Sequence, residues 1–229
     1  IAQCNLGWMY ESGSGIQKNL YEAVNWYRKS ADQGYARAQC NLGWMYQSGS
    51  GVPKDFAEAA KWYRKAAEQG YARAQCNLGA LCRLGWGESE DFHQGDIEAV
   101  KWYRLAANQG YAQAQYSLGF AYKYGSGVSK NDVEAVKWYR LAANQGFVSA
   151  QTSLGRMYEK GTGVPENFNE AWNWYHLAAS QGDAEAYVRI GEMYEKGNGV
   201  PKNFNEALSW YRKAAEKGDA NAHTRIGSM

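Results

Sequence analysis

Apolar and small residues recur along this chain at helical spacing, and polar breaks interrupt them at regular intervals. Ala38, Leu42, Met45 and Tyr46 stand at i, i+4, i+7 and i+8, which is one face of an amphipathic helix. Gly49 and Gly51 end that pattern. Asp55 then precedes a second apolar series, with Glu58 three residues on. This is the spacing of a capping box, in which the N-cap side chain and the later carboxylate each satisfy a backbone N–H. Pro53 sits just before the cap, and Asn19/Glu22, Asn131/Glu134, Asn167/Glu170 and Asn203/Glu206 repeat the device. The second helix carries Ala59, Trp62, Tyr63, Ala66 and Ala67 and stops at Gly70, where glycine accepts a positive φ. The local unit is therefore a pair of helices.

That pair is repeated throughout. Ala2, Ala38, Ala74, Ala114, Ala150, Ala186 and Ala222 align with steps of 36, 36, 40, 36, 36 and 36. Gly7, Gly43, Gly79, Gly119, Gly155, Gly191 and Gly227 follow in step. Glu-Ala-x-x-Trp-Tyr returns from Glu22-Ala23-Trp26-Tyr27 to Glu206-Ala207-Trp210-Tyr211. One helix pair cannot bury its own apolar face, whereas stacked pairs share a continuous core. The expected domain is a single rod over residues 1–229, with six helix pairs and the start of a seventh at 222–229. It is expected to be cut at both ends, without an evident polar capping repeat, so that self-association through the ends is open to it. The third unit differs. It inserts four residues between its helices, reading as an acidic loop from Gly85 to Gly95 with an exposed Trp86, and it lacks the Val-Pro-Lys run.

Composition narrows the function classes. With 45% apolar and 15% aromatic residues and only 3 prolines among 229, the chain has ample core material. Lys+Arg of 25 against Asp+Glu of 23 leaves a net +2, which gives no footprint for nucleic acid or an anionic membrane. No run approaches the roughly 20 apolar residues of a membrane helix, and no leader pattern is visible. The chain starts at Ile1 inside a repeat, so upstream sequence is expected. Cys4, Cys40 and Cys76 share one repeat slot and Cys82 lies six residues beyond Cys76, so none is placed to meet another. All four read as free thiols, which points to a reducing compartment.

Catalytic chemistry is sparse. His176 occupies the slot of Arg28, Arg64, Arg104, Arg140 and Arg212 and reads as a solvated helix position. His223 falls in a Gln39-type slot, and His93 in the inserted loop. Cys76, Cys82 and His93 lack zinc-ligand spacing. The Gly-x-Gly elements recur in every unit as interhelix turns and lack the lysine ending of a phosphate loop. No metal, cofactor or catalytic residue is expected.

The pattern Ala-x-x-x-Leu-Gly-x-x-Tyr-x-x-Gly-x-Gly-Val, followed by Ala-x-x-Trp-Tyr and Ala-Ala-x-x-Gly, resembles the Sel-one-like repeat family, a branch of the tetratricopeptide-like helical solenoids. The expected fold is all-α: a right-handed superhelical solenoid of tandem antiparallel helix pairs, about 36 residues each. The resemblance implies an adaptor or scaffold that binds a protein or peptide, or the recognition arm of a larger enzyme or signalling protein. Some cysteine-rich members are linked with β-lactam binding or hydrolysis. Their disulfide pairs are absent here, which leaves a β-lactam or peptidoglycan hydrolase as the remote alternative.

Slots that stay fixed from unit to unit serve the fold, and slots that change are free for recognition. On the first helices the changing slots are those of Ile1, Asn5, Trp8 and Ser12, a stripe that the resemblance places on the concave face. Asn5, Asn41 and Asn77 form a row able to hold an extended peptide backbone. Trp8, Trp44, Phe120 and Tyr124 supply aromatic anchors. Arg156 and Arg189 are suited to acidic side chains or a carboxylate. The alternative is that these aromatics pack between repeats.

Overall fold

Among the described residues, 1–87 and 91–229 of this computed structural model, the chain forms thirteen helices and no strand. They are α1 (Ala2–Ser12), α2 (Leu20–Ala31), α3 (Ala36–Ser48), α4 (Phe56–Glu68), α5 (Ala72–Cys82), α6 (Phe92–Asn108), α7 (Ala112–Tyr124), α8 (Asp132–Asn144), α9 (Val148–Lys160), α10 (Phe168–Ser180), α11 (Ala184–Lys196), α12 (Phe204–Glu216) and α13 (Ala220–Ser228). The chain divides into two compact units. One holds Ile1–Ala121 and Gly125–Ser129, the other Tyr122–Tyr124 and Lys130–Met229. In the first, consecutive helices from α1 to α6 pack against one another, and in the second those from α8 to α13 do, so each unit is a stack of helix pairs.

The sequence marks each boundary chemically. Asn19, Asp55, Asn131, Asn167 and Asn203 take extended backbone conformations, and their side chains accept first-turn N–H groups of α2, α4, α8, α10 and α12. The carboxylates three residues on also make ion pairs: Glu58 with Lys61 at 2.9 Å and Glu134 with Lys137 at 2.5 Å. The first helices α1, α3, α7, α9 and α11 end on a left-handed glycine, as at Gly49 with φ 74°, whose N–H bonds to the Met45 carbonyl.

In the first unit the core runs across pairs, joining Cys4 of α1, Tyr27 of α2, Leu42 and Met45 of α3 and Trp62 of α4. The second unit repeats this with Tyr175 of α10 against Ile190 and Met193 of α11. The fixed glycine explains the close approach. A Cβ built on Gly43 would lie 2.7 Å from the Tyr63 ring, and one on Gly155 2.6 Å from the Tyr175 ring. Buried glutamines add a polar seam. Gln39 donates to the Ala31 carbonyl at 3.1 Å and accepts from Gln69 at 2.8 Å, and Gln75 does the same with Ala67 and Gln109. These bonds satisfy carbonyls that a helix end leaves open. The four cysteines are free and buried, and burial pushes the Cys40 and Cys76 thiols up to about 12.

The third pair corrects the loop expectation. Its added residues extend the second helix instead: α6 starts at Phe92 and is 17 residues long against 13 for α4. Asp91 caps it by accepting from the His93 N–H at 2.9 Å, so His93 is in a first helical turn and not in a loop. Trp86 is 42% exposed and packs on Phe56 at 5.4 Å between ring centroids. The acidic residues Glu88 and Glu90, with Ser89, lie outside the described residues.

Candidate functional site

The first-helix stripe is the surface that the sequence singles out, and its residues fall into different environments. In the first unit Asn5 and Trp8 are exposed, Trp8 at 47%. Ser12 and Ser48 bond back to the carbonyls of Trp8 and Trp44 at 2.8 Å, which repeats the local geometry in α1 and α3. Trp44 is partly buried and packs on the core beside Leu42 and Met45. Asn41 and Asn77 are partly buried and hydrogen-bond to the hydroxyls of Tyr27 and Tyr63. Phe120 lies under a guanidinium, with Arg83 Cζ 5.3 Å from the ring centroid.

In the second unit Tyr124 is 55% exposed, with Lys123 Nζ 5.5 Å from its ring centroid. Both arginines already have carboxylates. Arg156 pairs with Glu185 at 3.2 Å, and Arg189 with Glu192 at 3.1 Å and Glu185 at 3.6 Å. Glu192 is 7% exposed and also pairs with Arg225 at 2.7 Å. Burial penalises the Arg189 charge, but Glu192 and its other acidic neighbours outweigh that and hold its pKa above the ordinary value.

One slot beside this stripe carries chemistry that periodicity did not single out. In the first, second, fifth and sixth repeats the buried tyrosine of the second helix donates to the residue in the Glu11 slot of its own first helix. Tyr27 donates to Glu11, Tyr63 to Gln47 at 2.7 Å, Tyr175 to Glu159 at 2.6 Å and Tyr211 to Glu195 at 2.5 Å. In the third and fourth repeats the slot changes sign, to Arg83 and Lys123. Arg83 hydrogen-bonds Tyr103 and pairs with Asp96 at 3.4 Å. The signal was available, because the slot varies from Glu to Gln, Arg and Lys within one chain. Its meaning needed the tyrosine that faces it.

The Sel1 repeat model matches residues 1–35, 36–71, 72–111, 112–147, 148–183 and 184–219, without a gap. The chain belongs to the Sel1 repeat family. Sel1 repeat proteins serve in general as protein-interaction scaffolds, and their solenoid is typically non-catalytic. Among solved structures, it is similar to c5321, a protective antigen present in uropathogenic Escherichia coli strains and displaying an SLR fold. The two are 37% identical with a TM-score of 0.86, over 98% of this chain and 47% of c5321, so this chain spans about half the length of that protein. A Sel1 repeat protein from Oxalobacter formigenes is 38% identical with a TM-score of 0.82, over 93% of this chain and 84% of that one. The immunity protein PA5088 from Pseudomonas aeruginosa, 22% identical with a TM-score of 0.60 over 96% of this chain and 84% of its own, shares the fold. No curated protein matches the chain.

One Sel1 position departs from its sequence reading. In the slot of His176, Arg28 and Arg140 donate to the hydroxyls of Tyr46 and Tyr158 on the next first helix, and Arg64 pairs with Glu98 at 3.0 Å. His176 is too short to repeat this. It is half-buried instead of solvated, 4.1 Å from Trp172 and 5.4 Å from Trp210 between ring centroids. Its Nε2 is buried without a hydrogen-bond partner, and burial, then Lys213, lowers its pKa. Among the described residues no set of His, Cys, Asp and Glu is grouped to hold a metal ion, and no helix is long and apolar enough to cross a membrane.

Proposed function

We propose that this Sel1 repeat chain is a non-catalytic adaptor that binds an extended segment of a partner protein along its first helices. The observation that carries this reading is Trp8: a large aromatic left 47% exposed on a helix whose opposite face builds the core. Exposed aromatics are the side chains that most often anchor a partner when they become buried. Asn5, also exposed, stands one helical turn before it and offers both a donor and an acceptor to a peptide backbone.

The remaining stripe residues enter this reading with different weights. Asn41 and Asn77 each keep one side of the amide for a ligand, the other side serving Tyr27 and Tyr63. Trp44 and Phe120 contribute a ring edge from partly buried positions. In the second unit Tyr124 offers an exposed ring, while a partner carboxylate would have to compete with Glu185 and Glu192 for Arg156 and Arg189.

The test is selection of peptides from a displayed random library on the wild-type chain, followed by their affinities for Asn5→Ala and Trp8→Ser. Both positions are exposed, so these variants keep the fold, unlike a Trp44 substitution. Selected peptides that bind wild type and weaken about tenfold or more on Trp8→Ser, equivalent to about 1.4 kcal/mol, support the site. Peptides that bind both chains equally place recognition elsewhere and overturn it.

A further inference from the structure

The second unit contains a cationic position that its own carboxylates leave unpaired. Its three stripe arginines are all matched: Arg156 to Glu185, Arg189 to Glu192 and Arg225 to both Glu192 and Glu195. Lys123 and Lys160 are not, since among the described residues neither ammonium has a carboxylate within 4.0 Å. Lys123 fills the slot in which Glu159 and Glu195 accept a tyrosine hydroxyl, so the fourth repeat places a cation where the fifth and sixth place an anion. Lys123 is also partly buried, and a desolvated charge without a partner is costly. Burial lowers its pKa, and Arg156 and Lys160 lower it further, against the weaker opposing pull of Asp132 and Glu185. The exposed Tyr124 ring stands beside it at 5.5 Å.

We propose that Lys123 and Lys160 receive an acidic side chain of the bound partner segment, with an apolar neighbour of that side chain packing on Tyr124. This rests on the reading of the first helices as the peptide-binding surface and assigns the chemistry of one part of it. A carboxylate here supplies the counter-charge that Lys123 lacks, whereas at Arg156 or Arg189 it would displace an existing ion pair. Lysine acts as a point charge and does not require bidentate geometry. The Tyr124 ring distinguishes a peptide from a free anion, because it adds apolar contact that a small ion cannot use.

The experiment measures fluorescence anisotropy of a labelled peptide that alternates pairs of glutamate with leucine. Its controls are the glutamine counterpart and inorganic phosphate as competitor. The glutamate peptide is expected to bind at least about tenfold tighter than the glutamine peptide and to weaken as salt screens the lysines. Lys123→Met with Lys160→Met keeps the apolar stems and is expected to remove that preference, with unchanged helicity by circular dichroism. Tyr124→Ala is expected to weaken the peptide. Equal binding of the two peptides, or an unaltered preference in the double Met variant, overturns the proposal. So does displacement by phosphate together with indifference to Tyr124→Ala, which would make the site one for free anions. Trp8→Ser is carried in parallel: loss of its own selected peptides concerns the first unit only, so the two readings fail separately.

Discussion

The Tyr175 hydroxyl donates to the Glu159 carboxylate at 2.6 Å, joining the two helices of one repeat from a ring with no exposed surface. The ring lies on Gly155, and the hydroxyl reaches past it to an acceptor on the same first helix. Replacing Tyr175 by Phe keeps the packing and removes the bond, leaving Glu159 to water. A loss of about 1.5 kcal/mol is expected, as for a hydrogen bond to a charged group. Urea unfolding should show a lower midpoint with unchanged slope; an unchanged midpoint would show that the bond adds nothing net.

Gly43→Ala is expected to destabilise, although alanine is intrinsically the better helix former by about 1 kcal/mol. The added Cβ would meet the Tyr63 ring at 2.7 Å, and overpacking of this kind costs about 1–3 kcal/mol. Thermal unfolding of the variant decides between packing and propensity by the sign of the change alone.

Alkaline stability should follow the core tyrosines. Burial first, and the Glu11, Glu159 and Glu195 carboxylates after it, raise the pKa of Tyr27, Tyr175 and Tyr211 above the ordinary value of 10.0. A pKa raised in the folded state gives stability that is fully present below the unfolded value and is lost as pH climbs from there toward the folded one. Stability is therefore expected to fall from about pH 10 upward. Ultraviolet titration of phenolate should show these rings ionising together with the loss of helicity. Independent ionisation in the folded state would contradict this.

The α10–α12 junction should weaken in acid. The His176 pKa is lowered from 6.5 because Trp172 and Trp210 desolvate the imidazole and Lys213 repels its charged form. In the unfolded chain the group binds a proton more readily, so its contribution is full above about pH 6.5 and is lost as pH falls through the lower folded value. Hydrogen-exchange protection factors in α10 and α12, taken relative to the intrinsic exchange rate at each pH, should fall between neutral pH and about pH 5 in wild type and not in His176→Gln. An equal fall in both would assign the effect to other groups.

Much of this was legible in the residues alone. The helix pairs, their caps at Asn19, Asp55, Asn131, Asn167 and Asn203, and the fixed glycines could be read because each depends on neighbours within a few positions or on a slot repeated at constant spacing. The same logic exposed Trp8 and Asn5 as variable surface. It failed at His176, where slot identity suggested a solvated arginine-like position, because the tryptophans that enclose the ring come from both its own helix and the next pair. It failed at the third repeat too, where added residues can extend a loop or a helix and only the Asp91 cap settles which.

The periodic architecture of this protein is legible in its residues, since hydrophobic spacing, capping and glycine conformation are local physics that recurs in each unit. Which stripe cations meet a carboxylate on another helix was set by tertiary packing. Arg156 is indistinguishable from Lys123 and Lys160 as a cation in a list, but helix packing brings Glu185 of the next first helix against Arg156 at 3.2 Å and not against the lysines, whereas Arg189 pairs with Glu185 and Glu192 at helical spacing within α11. Charge pairing across repeats depends on distances between side chains roughly 30 residues apart in sequence, and a Coulomb interaction that falls with separation and with solvent exposure is fixed only when the helices are in place.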